Sequence, residues 1–485
     1  MNAPWIALPA ALPLFAAAVS VLVGRSRRAQ RVIGVVTLTV VSGVAVRIAQ
    51  ESDRHDLLTT QAGGWEAPLG ITLRADRFTA IMLLVAAVMF LSVLVYAIGQ
   101  GDEEQRHVGF HPVYLTLVAG VCLAFLTGDL FNLFVAFEVM LVSSYVLLTL
   151  GGRLAQVRAG TTYVVISLLA SITFLFTLGL LYRATGTVNM AELPEAMAAL
   201  DADLRRVLLL LFLGVFGIKA AVFPLFFWLP DSYPNAPTAV TAVFAGLLTK
   251  VGVYAMFRIM TTIAPEDTAV GTLLLVIAGL TMVIGVFGAI SQQEIKRILS
   301  FHAVSQIGYM VFGLGLLTVA GLAAAILYIA QYIVVKTTLF LTGGLVERAA
   351  GTGHLHHVDG MLRTRPVVGM LFLLPALSLA GVPPFSGFVG KFALVDAGLA
   401  SQSWLIVAVS LAVSIMTLLS MNKIWSGAFL GEPTPNAVVE GRLPVAMVGA
   451  TGALVVISIA MALAAGPVYG YAQRAAESLL AGAPT

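Results

Sequence analysis

Stretches of about twenty mostly apolar residues recur along this chain with little between them, and that repetition constrains the fold more than any other feature. A membrane-crossing α-helix needs about 20 such residues. Fourteen stretches qualify, at roughly 3–24, 32–50, 76–98, 111–128, 131–150, 159–182, 206–229, 237–260, 268–291, 298–317, 320–346, 366–395, 402–425 and 445–468. The connections are mostly short; the longest are 51–75, 183–205, 347–365 and 426–444, and none leaves room for a soluble domain. Only 11% of the 485 residues are charged, against roughly 25% in a soluble chain. Such a chain cannot wet a globular surface, so the predicted fold class is an all-α polytopic membrane protein of about fourteen transmembrane helices.

The N-terminal apolar run is read as the first span. Its basic cluster, Arg25, Arg27, Arg28 and Arg31, follows the run, whereas a signal peptide carries its charge in front. Loops rich in Lys and Arg mark the cytoplasmic side. Alternate loops, holding that cluster together with Arg106, Lys296, Arg297, Arg363 and Arg365, are the richer set, which predicts both termini outside.

Several function classes drop out. The net charge is +3 with no basic tract, so no nucleic acid is expected as a partner. The single cysteine, Cys122, cannot form an internal disulfide or hold an iron–sulfur cluster. No P-loop, dinucleotide fingerprint or haem-type histidine pair is present. His354, His356 and His357 resemble a metal site only weakly, and neither a metal nor a cofactor is assigned. The energy source is then an ion gradient or another subunit.

The chain has six lysines, and four of them, Lys219, Lys250, Lys336 and Lys391, fall inside apolar spans; no arginine is expected there. A charge at the centre of a spanning helix costs about 2.5–3.5 kcal/mol, so four would oppose insertion by roughly 10–14 kcal/mol. Snorkelling suits a lysine near a helix end, but each of these has apolar neighbours on both sides: GIKAAVF, LLTKVGV, VVKTTLF and FVGKFAL. A buried lysine can give up and regain its proton, whereas an arginine stays charged. The pattern points to groups that titrate.

Glu138, in FNLFVAFEVM, is the one carboxylate well inside a span, and its natural partner is a lysine. Paired, it holds that lysine protonated; separated, it lets the proton go. The competing reading is a static ion pair. Asp129 opens the same helix, where capping is the expected role. Two spans are interrupted: Pro224 and Asp231 lie in KAAVFPLFFWLPDSYPNAP after Lys219, and Pro383 and Pro384 lie in LAGVPPFSGFVGK before Lys391. Broken helices in corresponding halves of a transporter mark its ion path. The opposite order of lysine and proline is read as a sign of an inverted repeat. His302, in KRILSFHAVSQIGYM, can exchange protons with water or a lysine, or simply end its helix. Ser305, Gln306, Gln331 and Tyr332 can support water chains or bond helix to helix.

The runs GDLFNLFVAFEVMLVSSYVLL, FGIKAAVFPLFFWLPDSYPNAPTAVTAVFAGLLTKVGVYAMFR, KRILSFHAVSQIGYM and GVPPFSGFVGKFAL resemble the antiporter-like subunits shared by Mrp antiporters and respiratory complex I. The length, and SSYVLL after the helix glutamate, are most similar to the Mrp branch of that family. The resemblance implies a gating pair of Glu138 and Lys219, onward transfer through Lys250, and continuation through Lys336 and Lys391. It implies a three-helix segment over 1–110, two inverted five-helix repeats over 111–260 and 268–425, and a terminal loop and helix over 426–485. It also implies a prokaryotic plasma membrane, several small hydrophobic partner subunits of the Mrp A, B, C, E, F and G type, membrane lipid, protons and Na+ as ligands, and no cofactor. Many relatives carry a histidine one turn before the lysine matching Lys336; here that place is Tyr332, beside Gln331. Some complex I relatives end the chain of groups with glutamate, where this one has Lys391. The expected function is proton translocation in a multi-subunit Na+/H+ antiporter. The alternative is a pumping subunit of a redox enzyme such as complex I or a membrane-bound hydrogenase.

Overall fold

The computed structural model describes residues 1–67, 70–101, 107, 109–263, 266–432 and 442–481. Arg106, counted above among the cytoplasmic charges, lies outside the described residues. The long helices are α1 (Leu8–Leu22), α2 (Arg27–His55), α3 (Arg77–Gln100), α4 (Phe110–Leu126), α5 (Leu130–Thr149), α6 (Leu154–Thr185), α7 (Ala202–Ala220), α8 (Thr238–Ile263) and α9 (Thr268–Ser291). They continue as α10 (Ile295–Gly315), α11 (Val319–Ala350), α12 (Pro366–Ala380), α13 (Ser386–Ala400), α14 (Trp404–Ala428), α15 (Val445–Leu463) and α16 (Ala465–Leu480). Among the described residues, 11 helices are long and apolar enough to cross a membrane, and α4 and α12 are shorter apolar helices. Each of the fourteen expected spans coincides with one of these helices or, at 206–229 and 366–395, with a helix that breaks part-way.

Three helices make the interior. The apolar windows of α8, α10 and α11 are 100%, 94% and 89% buried, against 39% for α6, α9 and α14. The outer helices turn large apolar side chains such as Phe176, Ile172, Leu405 and Leu419 outward, as a lipid-facing surface requires. Lys250, His302 and Lys336 sit on the three interior helices, so they are shielded by protein on every side.

Both interruptions have one local shape. AAVFP ends α7 and AGVPP ends α12. Ala221 (φ 61°) and Gly381 (φ 87°) take the left-handed conformation. The next residue then donates back into the helix, Val222 N–H to the Gly217 carbonyl (3.1 Å) and Val382 N–H to the Leu377 carbonyl (3.0 Å), a helix-end motif that satisfies carbonyls left open. The two breaks run in the same chain direction. The opposite order of lysine and proline therefore comes from which flank carries the lysine. Lys219 lies in the last turn of α7, and Lys391 in the second turn of α13.

Two elements lie where loops or coil were expected. Within 51–75, β1 (Leu57–Gln61) pairs antiparallel with β2 (Thr72–Asp76). Their alternation buries Leu58, Leu73 and Ala75 under the helix ends. The last span is followed by α16, an amphipathic helix whose Ala472, Ala475, Ala476 and Leu479 face the protein.

The hairpin side gathers both chain ends. The Met1 amino group donates to the Leu57 carbonyl (3.1 Å), and Arg474 of α16 pairs with Asp53 at the end of α2 (3.0 Å). Beneath them a buried ion cluster joins α3 to α8. Arg258 donates to both oxygens of Asp76 (2.5 and 2.7 Å), to Thr79 Oγ1 (2.8 Å) and to the Tyr254 hydroxyl (2.9 Å). This corrects the expectation that no arginine lies inside a span: Arg258 is in α8 and 3% exposed. It is stable there because Asp76, which also caps α3 through Thr79 N–H (2.9 Å), neutralises it with full hydrogen bonding.

Candidate functional site

The glutamate and the first lysine are joined through a third residue. Glu138 is on α5, Lys219 on α7, and α6 passes between them. Lys219 Nζ donates to Ser171 Oγ (3.3 Å) and to the Ser167 carbonyl (3.3 Å). Ser171 in turn donates its hydroxyl to Glu138 Oε1. The expected direct pair is thus a serine-bridged one, with the hydroxyl accepting from an ammonium and donating to a carboxylate. Phe137 lies beneath Lys219, with its ring centre 5.6 Å from Nζ. Neither Ser167 nor Ser171 stands out in the sequence, because serines are ordinary on helix–helix faces.

A cavity of about 30 Å³ opens beside Lys219, lined among others by Tyr163, Ser167, Trp228, Tyr233 and Leu248. The Tyr233 hydroxyl is buried there without a hydrogen-bond partner among the described residues. A space of this size holds a water molecule, and a buried hydroxyl calls for one. The cavity reaches α8 at Leu248, two residues before the second lysine.

Lys250 follows a π-helical segment, Phe244–Leu248. The wider turn lets Nζ donate back to the Ala245 carbonyl (2.7 Å) and to Thr249 Oγ1 (2.9 Å). Two glycines bracket it. A Cβ on Gly246 would stand 2.3 Å from Thr337 Oγ1 of α11, and one on Gly252 would stand 2.7 Å from the Ala220 backbone nitrogen of α7. Their absent side chains let α8 touch α11 on one side and the Lys219 turn on the other.

Lys336 is fully buried on α11, and Nζ has no hydrogen-bond partner among the described residues. Around it the Gln331 amide, the Tyr332 hydroxyl, Thr337 Oγ1, Gln306 Nε2 and His302 Nδ1 are equally buried and unpartnered. Polar atoms buried in such number call for internal water. His302 bonds Ser420 Oγ of α14 through Nε2 (2.8 Å) and is 0% exposed, so it meets no bulk water directly. Lys391 donates to the Ala380 carbonyl at the α12 break (3.1 Å).

The remaining expected residues divide. Gln306 Oε1 accepts from the Tyr328 hydroxyl, and Tyr332 packs its ring under Lys250, so both belong to the row. Pro224, Pro383 and Pro384 lie in the two breaks. Ser305 donates to the Met282 carbonyl (2.9 Å) and so bonds α10 to α9. Asp129 caps α5 through Asn132 N–H (2.7 Å). Asp231 is an exposed partner of Arg297 (2.9 Å), away from the row.

The chain is similar to known membrane proteins over nearly its whole length. Residues 127–417 match the family model described as NADH:quinone oxidoreductase/Mrp antiporter, transmembrane. The D subunit of the Na+/H+ antiporter of Alkalihalophilus pseudofirmus is 42% identical over 481 residues, covering 98% of this chain and 97% of that one. A chain of the Mrp complex from Dietzia sp. superposes with TM-score 0.94 at 35% identity, covering 98% of this chain and 97% of that chain. A chain of an archaeal respiratory membrane complex, the membrane-bound sulfane sulfur reductase, superposes with TM-score 0.89 at 26% identity, covering 98% and 97%.

Proposed function

This chain belongs to the NADH:quinone oxidoreductase/Mrp antiporter family, and from that premise we propose that it is the proton-conducting subunit of a multi-subunit Na+/H+ antiporter of the Mrp type. It works in a membrane beside other hydrophobic subunits. The observation that carries the reading is the row itself: Glu138, Lys219, Lys250, Lys336 and Lys391 occupy one bundle, and several buried polar groups along it, among them the Tyr233 and Tyr332 hydroxyls and the Gln331 amide, have no hydrogen-bond partner among the described residues.

The proton moves by changes in pairing. With Glu138 anionic, Ser171 carries the attraction to Lys219, which keeps its proton. When Glu138 is neutralised or drawn away, Lys219 loses that support and passes its proton through the cavity beside Tyr233 toward Lys250. Lys336, His302 and Lys391 continue the row. Sodium moves the other way through the complex, driven by the proton gradient. The matching breaks of α7 and α12 support two repeats over 111–260 and 268–425. The distribution of Lys and Arg supports both termini outside a prokaryotic plasma membrane.

Replacing Glu138 or Lys219 by Ala is expected to abolish Na+-dependent dissipation of a proton gradient in everted vesicles, while the complex still assembles. Wild-type exchange by either variant overturns the relay. The likeness to a respiratory complex favours one second reading, a pump driven by redox chemistry in neighbouring subunits. The purified complex separates the two: a colourless assembly supports the antiporter, and stoichiometric flavin or iron–sulfur absorbance supports the pump.

A further inference from the structure

Between Lys250 and Lys391 the structure places three tyrosines in one continuous stack. Tyr328 and Tyr332 lie one turn apart on α11 with ring centres 6.4 Å apart, and Tyr309 of α10 packs on Tyr328 at 5.5 Å. All three are fully buried. Each end of the stack carries an ammonium: Lys250 Nζ lies 4.1 Å from the Tyr332 ring centre, and Lys391 Nζ lies 4.7 Å from that of Tyr309. These distances fall within the reach of a cation–π contact, which strengthens when water is excluded.

The hydroxyls fix the stack. Tyr309 donates to the Ser410 carbonyl (2.6 Å) and bonds Ser414 Oγ (2.8 Å), which ties it to α14. Tyr328 donates to Gln306. Only Tyr332 has a hydroxyl without a protein partner, and it lies one turn before Lys336. The stack thus joins α8, α10, α11 and α13, the helices that carry Lys250, His302, Lys336 and Lys391.

We infer that Tyr309, Tyr328 and Tyr332 form a positioning ladder that seats the Lys250 and Lys391 ammonium groups at its two ends, with the ring faces as the working surface. Lys250 and Lys391 donate to backbone carbonyls and have no carboxylate partner among the described residues. A ring face stabilises the cation without competing for its proton, because it offers no base strong enough to take it. The Tyr309 and Tyr328 hydroxyls hold the rings, and Tyr328 keeps the two end rings in register.

The inference rests on the relay reading, and one set of complexes in proteoliposomes tests both. Na+-dependent exchange is measured for Lys391→Ala, Tyr309→Leu, Tyr309→Phe, Tyr328→Leu and Tyr328→Phe, with assembly checked by size-exclusion chromatography. The ladder expects Tyr309→Leu to lose about tenfold in rate, which is about 1.4 kcal/mol and lies between an exposed and a desolvated cation–π contact, and Tyr328→Leu to lose a similar amount by letting the end rings shift. It expects the Phe variants to recover to within about threefold, because the ring remains. Wild-type rates in both Leu variants, with Lys391→Ala inactive, overturn the ladder and leave the relay standing. Equal losses in Leu and Phe variants also overturn it, by assigning the effect to the hydroxyls. Wild-type exchange in Lys391→Ala removes the relay, and the ladder with it. If a Tyr309 variant fails to assemble, the Tyr328 pair decides on the same criteria.

Discussion

At the scale of single residues, the serine between Glu138 and Lys219 changes how the gate is understood. A direct ion pair opens only by moving two charged helices apart. A bridged pair also opens when one hydroxyl turns, because Ser171 must accept from Lys219 and donate to Glu138 at once. Hydrogen bonds to charged groups contribute about 1.5–3 kcal/mol. Ser171→Ala is therefore expected to slow exchange by roughly ten- to a hundredfold, and Ser171→Thr, which keeps the hydroxyl, to recover most of it. A proton-gradient assay in vesicles reads both, and equal rates for Ala and wild type remove Ser171 from the gate. Arg258 and Asp76 make a contrasting pair, since their bonds are complete and they lie off the lysine row. Asp76→Ala removes the carboxylate from both Arg258 and Arg74, at a cost of about 3–5 kcal/mol for the buried Arg258 alone. The expected outcome is a marked fall in the melting temperature of the detergent-solubilised complex. The lysines and Glu138 were legible in the sequence because a charge inside an apolar run has no cheap structural explanation. Ser171 was not, since one hydroxyl in a helix carries no spacing signal. Arg258 was misplaced because its partner, Asp76, lies far away in the chain.

At the scale of elements, α8 decides whether the row is continuous. It presents Lys250 between two close approaches, and the π-helical segment turns that lysine toward its own Ala245 carbonyl. One added methyl group tests the contact with the α7 backbone. A Cβ on Gly252 would meet backbone of α7 at 2.7 Å, while one on Gly449 of α15 meets nothing within 4 Å. Forcing a methyl into a full contact costs about 1–3 kcal/mol. Gly252→Ala is expected to lower exchange several-fold with the complex still assembled, and Gly449→Ala to leave it unchanged. Similar rates for the two variants show that the spacing of α7 and α8 does not matter to transfer. The spans themselves were readable because twenty apolar residues in lipid admit little besides a helix. The breaks were readable from proline and glycine. The hairpin of β1 and β2 was not, since five-residue strands among polar residues are too short to separate from coil. The amphipathic α16 was hidden by the span before it, which runs into it almost without a gap.

At the scale of the whole molecule, the packing of Met1 and α16 bears on the proposed sidedness. Met1 rests on the hairpin and α16 is pinned to the end of α2, so Met1 and α16 lie on one face. The turn between α1 and α2 lies at the opposite end of α2, a helix of 29 residues, which is about 43 Å long at 1.5 Å per residue. That length exceeds the hydrocarbon core of about 30 Å, so the two ends of α2 stand in different aqueous phases. The basic cluster Arg25–Arg31 supports the proposal that the α1–α2 end is cytoplasmic, by the rule that positive charge stays inside. A bundle with matched breaks in both halves packs equally well either way up in lipid, so the orientation rests on the uneven placement of arginine and lysine in the loops. Single cysteines at exposed sites make this measurable, because the native Cys122 is 1% exposed and stays silent. In right-side-out vesicles, a membrane-impermeant maleimide is expected to label Gln473→Cys and Arg54→Cys but not Ser26→Cys, and in everted vesicles the pattern reverses. Labelling of Gln473→Cys and Arg54→Cys from opposite sides would break the packing of α16 on α2. Labelling of both from the cytoplasmic side would keep that packing and invert the orientation, and with it the side from which protons reach Lys219.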